Sequence, residues 1–548
     1  MTAQDDFYRQ SEAFLSRALE LDPVAATQMG EHRFDGRLAD FTPDALAARN
    51  KEFEKALSQF EATGTTSFTL DAQIDHTLVV HVLKSFIRQY ERLQRHRRDP
   101  GIYLDEVMGG VFILIIKDFA PVGQRLASAL ARIVEAPRVF REAQGNISAR
   151  DVPLVWAEIA LEQVKQAPGL FTDLLPGIAR RAAPGMEGDF EKAGAAAAKA
   201  ARGYGEFLQR QVMPAARGDF AVGRKIFDEM LSEDHMVDYD ADELLETGWR
   251  LVKETEAAIE SVAREIDPTR SARDILEEAK ADHPAADGLL KAYEEAMRAT
   301  RQFVVDHGIA SIPENETLRV IETPVYARPI LPYAAYMPAG MLEKKQDGLF
   351  FVTPVEPGTP ADLAEQKLKG HYFAKLPITA LHEGYPGHHL QLVWSNRQKT
   401  VPRRMGSMLS SLFVEGWAFY CEELMEQMGY IAKPIQRLAR LSDQLWRAAR
   451  IVIDSSIHTK GMTVREAIDL LVDRCGLEPA NALAEVRRYT GSPTQPQSYL
   501  MGKIAILDMV REIRAAEPGI DLRKMHDDIL GCGSLPPKLM RRKLLPQD

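Results

Sequence analysis

The sequence predicts a mostly α-helical protein with a small β-sheet in its second half. Apolar residues recur at helical spacing through most of the 548 residues, with charged residues on the opposite faces. One segment, residues 317–354, breaks that period. There Leu318-Arg-Val-Ile-Glu-Thr and Leu349-Phe-Phe-Val-Thr are rich in strand formers and are separated by Pro- and Gly-containing turns. The chain is 45% hydrophobic and 27% charged, so it can bury a large core and lies far from disordered composition.

The helical period is clearest over residues 7–21, 42–62, 70–94 and 189–211. Asp240-x-x-Glu243 has the form of a capping box and opens a helix running to about Ile266. Residues 274–306 continue the pattern with a break near Gly288, and 411–428 form a further helix carrying Leu412, Trp417, Phe419, Leu424 and Met425 on its apolar side. The Ala-rich run 195–201 is a strong helix former and carries no functional signal. No fixed-period repeat and no low-complexity linker interrupts the chain. The expected division is an N-terminal helical region, 1–310, and a second region, 311–548, as two lobes around a cleft.

Composition excludes several classes. A formal charge of −11 argues against general nucleic-acid binding, which draws its affinity from a basic surface. The local basic run 88–98 reads as a solvated helix face. Cys421, Cys475 and Cys532 are odd in number and widely spaced, so they imply no disulfide framework and suit a reducing compartment. The polar start Met-Thr-Ala-Gln-Asp-Asp has no apolar signal core, and the densest apolar run, 111–116, is too short to span a bilayer. A cytoplasmic location and no membrane or nucleic-acid partner are the expectations.

The chemistry concentrates at residues 382–391, His-Glu-Gly-Tyr-Pro-Gly-His-His-Leu-Gln, with Glu415-Gly-Trp-Ala-Phe-Tyr downstream. Two imidazoles and a glutamate can hold zinc and leave one position for water. In the HExxH arrangement the two His stand at i and i+4 and face one metal. Here the second His is His388 at i+6 or His389 at i+7. On an unbroken helix i+6 points about 240° away, and i+7 sits about 10.5 Å further along. Pro386 cannot donate to the preceding turn, and Gly384 and Gly387 tolerate unusual dihedrals. A widened or bulged turn there returns His388 to the side of His382, which favours His388 over His389 as second ligand. Glu415 is the third ligand, since a glutamate among Phe413, Val414 and Trp417 is costly to bury unless paired or metal-bound. Glu422, at i+7 on the same face, is placed to hold the other nitrogen of a ligand imidazole.

Around these residues the sequence resembles the bacterial domain-of-unknown-function family 885, whose members look like zinc metallopeptidases of the glutamate-zincin type. The matching motifs are His382-Glu383-x-x-Pro386-Gly387-His388-His389-Leu390-Gln391 and Glu415-Gly416-Trp417-Ala418-x-Tyr420. The likeness extends to residues 23–40, to Arg488-Tyr489, to Pro496-Gln497-Ser498-Tyr499-x-x-Gly502 and to Gly533-Ser534-Leu535-Pro536. It departs at Asp454-Ser455-Ser456-Ile457-His458, where the family commonly has Asp-Thr-Gly-x-His. The resemblance implies a mostly helical, two-lobed zincin-like fold, one zinc per chain and peptide hydrolysis, with an edge strand able to pair with an extended substrate.

The roles follow. His382, His388 and Glu415 hold the metal, which polarises the substrate carbonyl, and Glu383 is the general base. Donors to the developing oxyanion are sought at Tyr499 first, then at His458, with Tyr489 a further candidate. Arg450 or its neighbour Arg447 can clamp a substrate carboxylate, or instead pair with Asp443 or Asp454. His389 can hydrogen-bond substrate, and Tyr333 and Tyr336 can border the cleft. The leading reading is a zinc peptidase acting on short peptides. The others are a zinc hydrolase of a non-peptide amide or small metabolite, and a helical binding protein with a silent site. Retention of Glu383 speaks against the last. Metal loading also follows availability, so another divalent ion suits the same ligands.

Overall fold

The computed structural model describes residues 2–324, 328, 333–356 and 358–546. Within them the chain is mostly helical, with one three-stranded sheet. Two compact units form, Met1–Phe220 with Gly340–Glu343, and Ala221–Ala339 with Lys344–Asp548. The sequence-based boundary near residue 310 thus falls inside the second unit. The cause is the helix Ala241–Ile266, which lies along the helix Pro434–Thr459. Gly248 allows the approach, since a Cβ there would stand 2.9 Å from Ile451 Cγ2.

The first unit is built on the helices Val122–Asn146 and Glu187–Phe207, joined by the stacked rings of Phe140 and Tyr204, 5.3 Å apart. Arg132 is fully buried there, its Nε donating to the carbonyl of Arg37 (3.0 Å) and Nη2 to Thr27 Oγ1 (2.7 Å) and the carbonyl of Pro23 (3.0 Å). Such a cation is tolerable only because its donors are met. The basic run 88–98 is more than a solvated face: Arg88 is buried, and Arg95 pairs with Asp99 and lies over Trp156. The excursion Gly340–Glu343 belongs to this unit because Leu342 N–H donates to the carbonyl of Met29 (2.8 Å) and Lys117 pairs with Glu343 (3.5 Å).

The second unit opens as its sequence indicates. Asp240 accepts from the N–H groups of Asp242 and Glu243, and Glu243 accepts from that of Asp240. The expected break near Gly288 is longer than one turn, separating the helices Ala272–Ala279 and Leu289–Asp306. Strands β1 (Glu316–Glu322) and β3 (Gln346–Val352) run parallel, and β2 (Ala334–Met337) pairs antiparallel on the other side of β3. Sequence reading located β1 and β3. It missed β2, whose Ala-Ala-Tyr-Met has little strand signal, and most of the Pro-containing connection before it lies outside the described residues. Central β3 is buried, and Phe350 and Val352 meet Tyr293 and Met297 together with Leu376 and Ala380 of the helix Leu376–Glu383. No helix among the described residues is long and apolar enough to cross a membrane.

A second core joins Ala241–Ile266, Leu412–Gln427, Pro434–Thr459 and Ser498–Ala516. At its centre Gly416 and Gly502 bring two helix backbones together, for a Cβ on Gly502 would stand 2.0 Å from the carbonyl oxygen of Leu412. Beside this crossing Trp417 is fully buried edge-on to His526, with ring centroids 5.5 Å apart. Only Nδ1–H of His526 can donate to the carbonyl of Ile309 (2.7 Å), so Nε2 accepts from the hydroxyl of Tyr420 (2.9 Å).

Burial pushes the His526 imidazole from its usual 6.5 down to about 4. The unfolded chain therefore binds more protons between those values, and stability falls as pH drops through 6.5 towards 4. At pH 5 the loss from this one group is about 2 kcal/mol. A His526→Asn chain should lose less of its denaturation midpoint between pH 7 and pH 5 than the native chain does. Equal losses would show that this imidazole does not carry the effect.

Candidate metal centre

The helix Leu376–Glu383 ends at Gly384, and a second helix, His388–Asn396, begins after four residues. The helix is broken here, not merely widened as the sequence predicts. Gly384 N–H still donates to Ala380 (2.9 Å), but Gly387 N–H reaches back to the carbonyl of Leu381 (3.0 Å). The peptide bond between Tyr385 and Pro386 is cis. Gly387 is packed against the first helix, where a Cβ would stand 2.0 Å from the carbonyl oxygen of His382 and 2.4 Å from that of Leu381. Trp417 Nε1–H donates to the carbonyl of Pro386 (2.8 Å) and fixes the break to the Glu415 helix, Leu412–Gln427.

The break brings His388, not His389, to His382. Ligand-type atoms of His382, His388 and Glu415 all lie within 4.8 Å of one another, and His388 Nε2 is 3.5 Å from Glu415 Oε2. Two tetrahedral zinc ligands, each about 2.1 Å from the ion, stand about 3.4 Å apart, so this pair has the separation the metal requires. The His382 and His388 rings are 4.8 Å apart and nearly perpendicular. Glu422 Oε1 accepts from His382 Nδ1–H at 2.7 Å, which leaves the Nε2 lone pair of His382 for a metal.

The electrostatics are unusual for a protein interior. Glu415 and Glu422 approach the two imidazoles, and the charge of Glu383 acts on His388. Burial disfavours ionisation of Glu415, yet its bond to His388 and the charges of His388, His382 and Arg450 hold it below the usual carboxylate range. Burial likewise opposes a charge on His388, and the bond to Glu415 with the charges of Glu415, Glu383 and Glu422 outweighs it, raising the imidazole. Glu422 Oε2 is buried without a hydrogen-bond partner among the described residues. Carboxylates gathered in this way need a compensating cation. The donor set therefore fits a divalent metal.

His389 has a different place. Its Nε2–H donates to Glu316 at the start of β1 (2.7 Å), and its Nδ1 accepts from the hydroxyl of Tyr336 on β2 (3.1 Å). Tyr385 donates to the same Glu316 carboxylate (2.5 Å). Both ring nitrogens of His389 are thus used in tying the break to the sheet, and none remains for substrate. Tyr336 is half-buried with its hydroxyl on His389, whereas Tyr333 is exposed. The charge of Glu383 is felt by Tyr336 and Tyr293, which places both near the general-base candidate.

The remaining candidates separate into two groups along the helix Pro434–Thr459. Arg447 pairs with Asp443 (3.5 Å), as one sequence alternative held, and Asp443 also binds Lys375 (2.6 Å). Arg450 pairs with neither Asp443 nor Asp454. Its Nη2 donates to Glu485 (3.0 Å) and its Nε to the hydroxyl of Tyr489 (2.9 Å), which in turn donates to Glu485 (2.6 Å). Tyr489, fully buried, is thus committed to supporting Arg450. Tyr499 is half-buried between the Arg447 and Arg450 guanidinium groups, 5.9 and 4.5 Å from its ring, and its hydroxyl has no hydrogen-bond partner among the described residues.

His458 lies two turns beyond Arg450, fully buried, with Nε2 donating to the carbonyl of Tyr489 (3.1 Å) and its ring 6.0 Å from Phe227. Asp454 beside it accepts from Thr494 N–H (3.2 Å), and burial pushes its carboxyl far above the usual range. This pair is part of the helix core. Sequence reasoning missed Glu485, although its i, i+4 spacing to Tyr489 was visible. It also missed Glu316, Tyr293 and Trp446, which carry no local signal.

A family model described as a bacterial protein of unknown function, DUF885, matches residues 23–544, and the chain belongs to that family. Among solved structures, one provisionally described as a lipoprotein of unknown function from Shewanella oneidensis is 26% identical, with a TM-score of 0.81 over 98% of this chain and 99% of that one. Another, provisionally described as a lipoprotein from Colwellia psychrerythraea, is 15% identical with a TM-score of 0.86 over 99% and 98% of the two chains, a likeness of fold alone. No curated protein matches the chain.

Gly387→Ala should cost about 2–3 kcal/mol, since the new methyl meets main-chain oxygens that cannot rotate away. Gly519→Ala, whose Cβ would meet nothing within 4 Å, should be neutral or slightly stabilising. Urea denaturation midpoints of the two variants check this, and equal midpoints would contradict the tight break.

Proposed function

We propose that this member of the DUF885 family is a zinc-dependent hydrolase, a metallopeptidase of zincin-like mechanism that cleaves short peptides with Glu383 as general base. The observation that supports the reading is the convergence of His382, His388 and Glu415 across a broken helix, with Glu422 holding the His382 ring and Glu383 beside it. The Nε2 atoms of His382 and His388 and Oε2 of Glu415 would hold one zinc per chain. When bound, zinc supplies Lewis acidity, polarising a carbonyl and acidifying water.

The chain's own groups do the rest. Glu383 takes a proton from the attacking water as its oxygen bonds to the carbonyl carbon. The same carboxyl returns the proton to the departing amine nitrogen as the C–N bond breaks. Glu422 keeps His382 in one tautomer and orientation throughout. Tyr499, with its hydroxyl uncommitted, is the donor to the carbonyl oxygen as negative charge develops there. His458 and His389 take no part in these steps, because the core and the sheet occupy them. The site draws on no cysteine, so the proposed chemistry is the same in a reducing cytoplasm and in an exported setting such as a lipoprotein's.

Elemental mass spectrometry of tag-free protein should find about one zinc per native chain and none in a His382→Ala, Glu415→Ala double variant. Glu422→Gln should weaken zinc binding about 10–100-fold in a chelator competition. Glu383→Gln should keep the metal and lose about 10²–10⁴-fold in peptide turnover. Zinc retained by the double variant, or full turnover without Glu383, would sink the reading.

A further inference from the structure

Arg450 is the most heavily supported cation beside the candidate centre, and one of its nitrogens is left over. Its side chain is 5% exposed. Nε and Nη2 are satisfied by Tyr489 and Glu485, and the guanidinium lies over Trp446 and Tyr499, 4.4 and 4.5 Å from their ring centroids. Nη1 is buried with no hydrogen-bond partner among the described residues. Arg447, one turn earlier, shares the Trp446 and Tyr499 rings and has its own Nε buried without a partner. It also lies 5.7 Å from the ring of Phe419, one turn after Glu415 on the Glu415 helix.

The ion pairs around it are shared ones. Glu485 serves both Arg450 and Arg488, and Asp443 serves both Arg447 and Lys375. Four cations thus share two carboxylates, and the two guanidinium groups nearest Tyr499 keep unused donors. Buried donors of this kind are rare unless water, an ion or a ligand completes them. A planar, fixed guanidinium suits planar or tetrahedral oxyanions, and on a peptide the matching group is a carboxylate.

Resting on the peptidase reading, we infer that Arg450, with Arg447, binds the terminal carboxylate of the substrate, so that the enzyme trims short peptides from their C-terminus. Tyr489, Glu485 and Trp446 are positioning residues that hold Arg450 in place. Tyr499, the proposed donor to the reacting carbonyl, has its ring against both guanidinium groups. An endopeptidase would have to leave the two guanidinium groups unmatched or fill them with an acidic side chain, and the test separates these cases.

Matched short peptides, each as the free acid and as the C-terminal amide, with and without an internal Glu, would be digested by the zinc-loaded native chain and followed by mass spectrometry. The expected result is release of single C-terminal residues, with kcat/KM at least about 100-fold higher for acid than for amide. Equal cleavage of acid and amide would overturn the clamp while leaving the hydrolase standing. Cleavage of amides only where an internal Glu is present would reassign the pocket to an acidic side chain and overturn C-terminal trimming. Calorimetric titration of N-acetyl-phenylalanine and its amide into the native chain gives a readout independent of turnover. The acid should bind more tightly in the native chain, and Arg450→Lys, which keeps the charge but loses the left-over Nη1 donor and its supports, should reduce that preference at least about tenfold. If no peptide is cleaved the hydrolase reading fails, and this binding comparison still decides the carboxylate pocket.

Discussion

The candidate centre depends on a main-chain contact, that of Gly387 against the carbonyl oxygens of Leu381 and His382. An α-helix fixes the angle between residues six apart, and that angle sends His388 away from His382. Ending one helix and starting another resets the angle, but only if the second helix begins very close to the end of the first. Any side chain at 387 would prevent the approach. Trp417 completes the constraint by bonding the Pro386 carbonyl, so the residues that set the break are attached to the helix that supplies Glu415. The backbone segments that carry all three candidate ligands are therefore placed by one close contact and one hydrogen bond, and Glu422 then orients the His382 ring.

The surrounding structure is arranged to keep this junction still. On one side, Tyr385 and His389 both donate to Glu316 of β1 while Tyr336 of β2 donates to His389, so the start of the second helix is bound to both outer strands of the sheet. On the other, Gly416 and Gly502 draw the Glu415 helix against the helix that carries Tyr499. Neither device touches the candidate ligand atoms themselves. Each reduces the freedom of a backbone segment from which a candidate ligand projects, and a metal site held to a few tenths of an ångström would require that kind of support.

Much of this was legible in the sequence. The helical period, the Asp240 capping box and strands β1 and β3 followed from local pattern, because these elements bury one face and expose another. The His382, His388 and Glu415 set followed from residue chemistry and from Pro386 standing where a break was needed. What was not legible depends on distant partners. Strand β2 is recruited by pairing with β3 and not by its own propensity. The unit boundary moved to residue 220 because Ala241–Ile266 finds its partner about two hundred residues later, in Pro434–Thr459. His389 could not be separated from substrate binding without knowing that Glu316 and Tyr336 consume its two nitrogens.

The helix Pro434–Thr459 shows how such ambiguities resolve. Its sequence offers two charged pairs, Asp454 with His458 at i, i+4, and Arg447 with Arg450 at i, i+3. Spacing alone makes the first the better catalytic candidate and the second an ordinary source of ion pairs. Charge and surroundings together reverse that order. Asp454 and His458 are sealed in the core, with main-chain groups of Thr494 and Tyr489 among their partners, and although Asp454 Oδ2 is also buried without a partner among the described residues, burial raises that carboxyl and favours its neutral form. Arg450 is almost as buried, keeps its charge and retains a donor with no partner among the described residues, although Tyr489, Glu485, Trp446 and Tyr499 all surround it. Ordering so many groups around one cation without completing its hydrogen bonds is unfavourable for folding alone. The arrangement makes physical sense when the missing acceptor arrives from outside the chain.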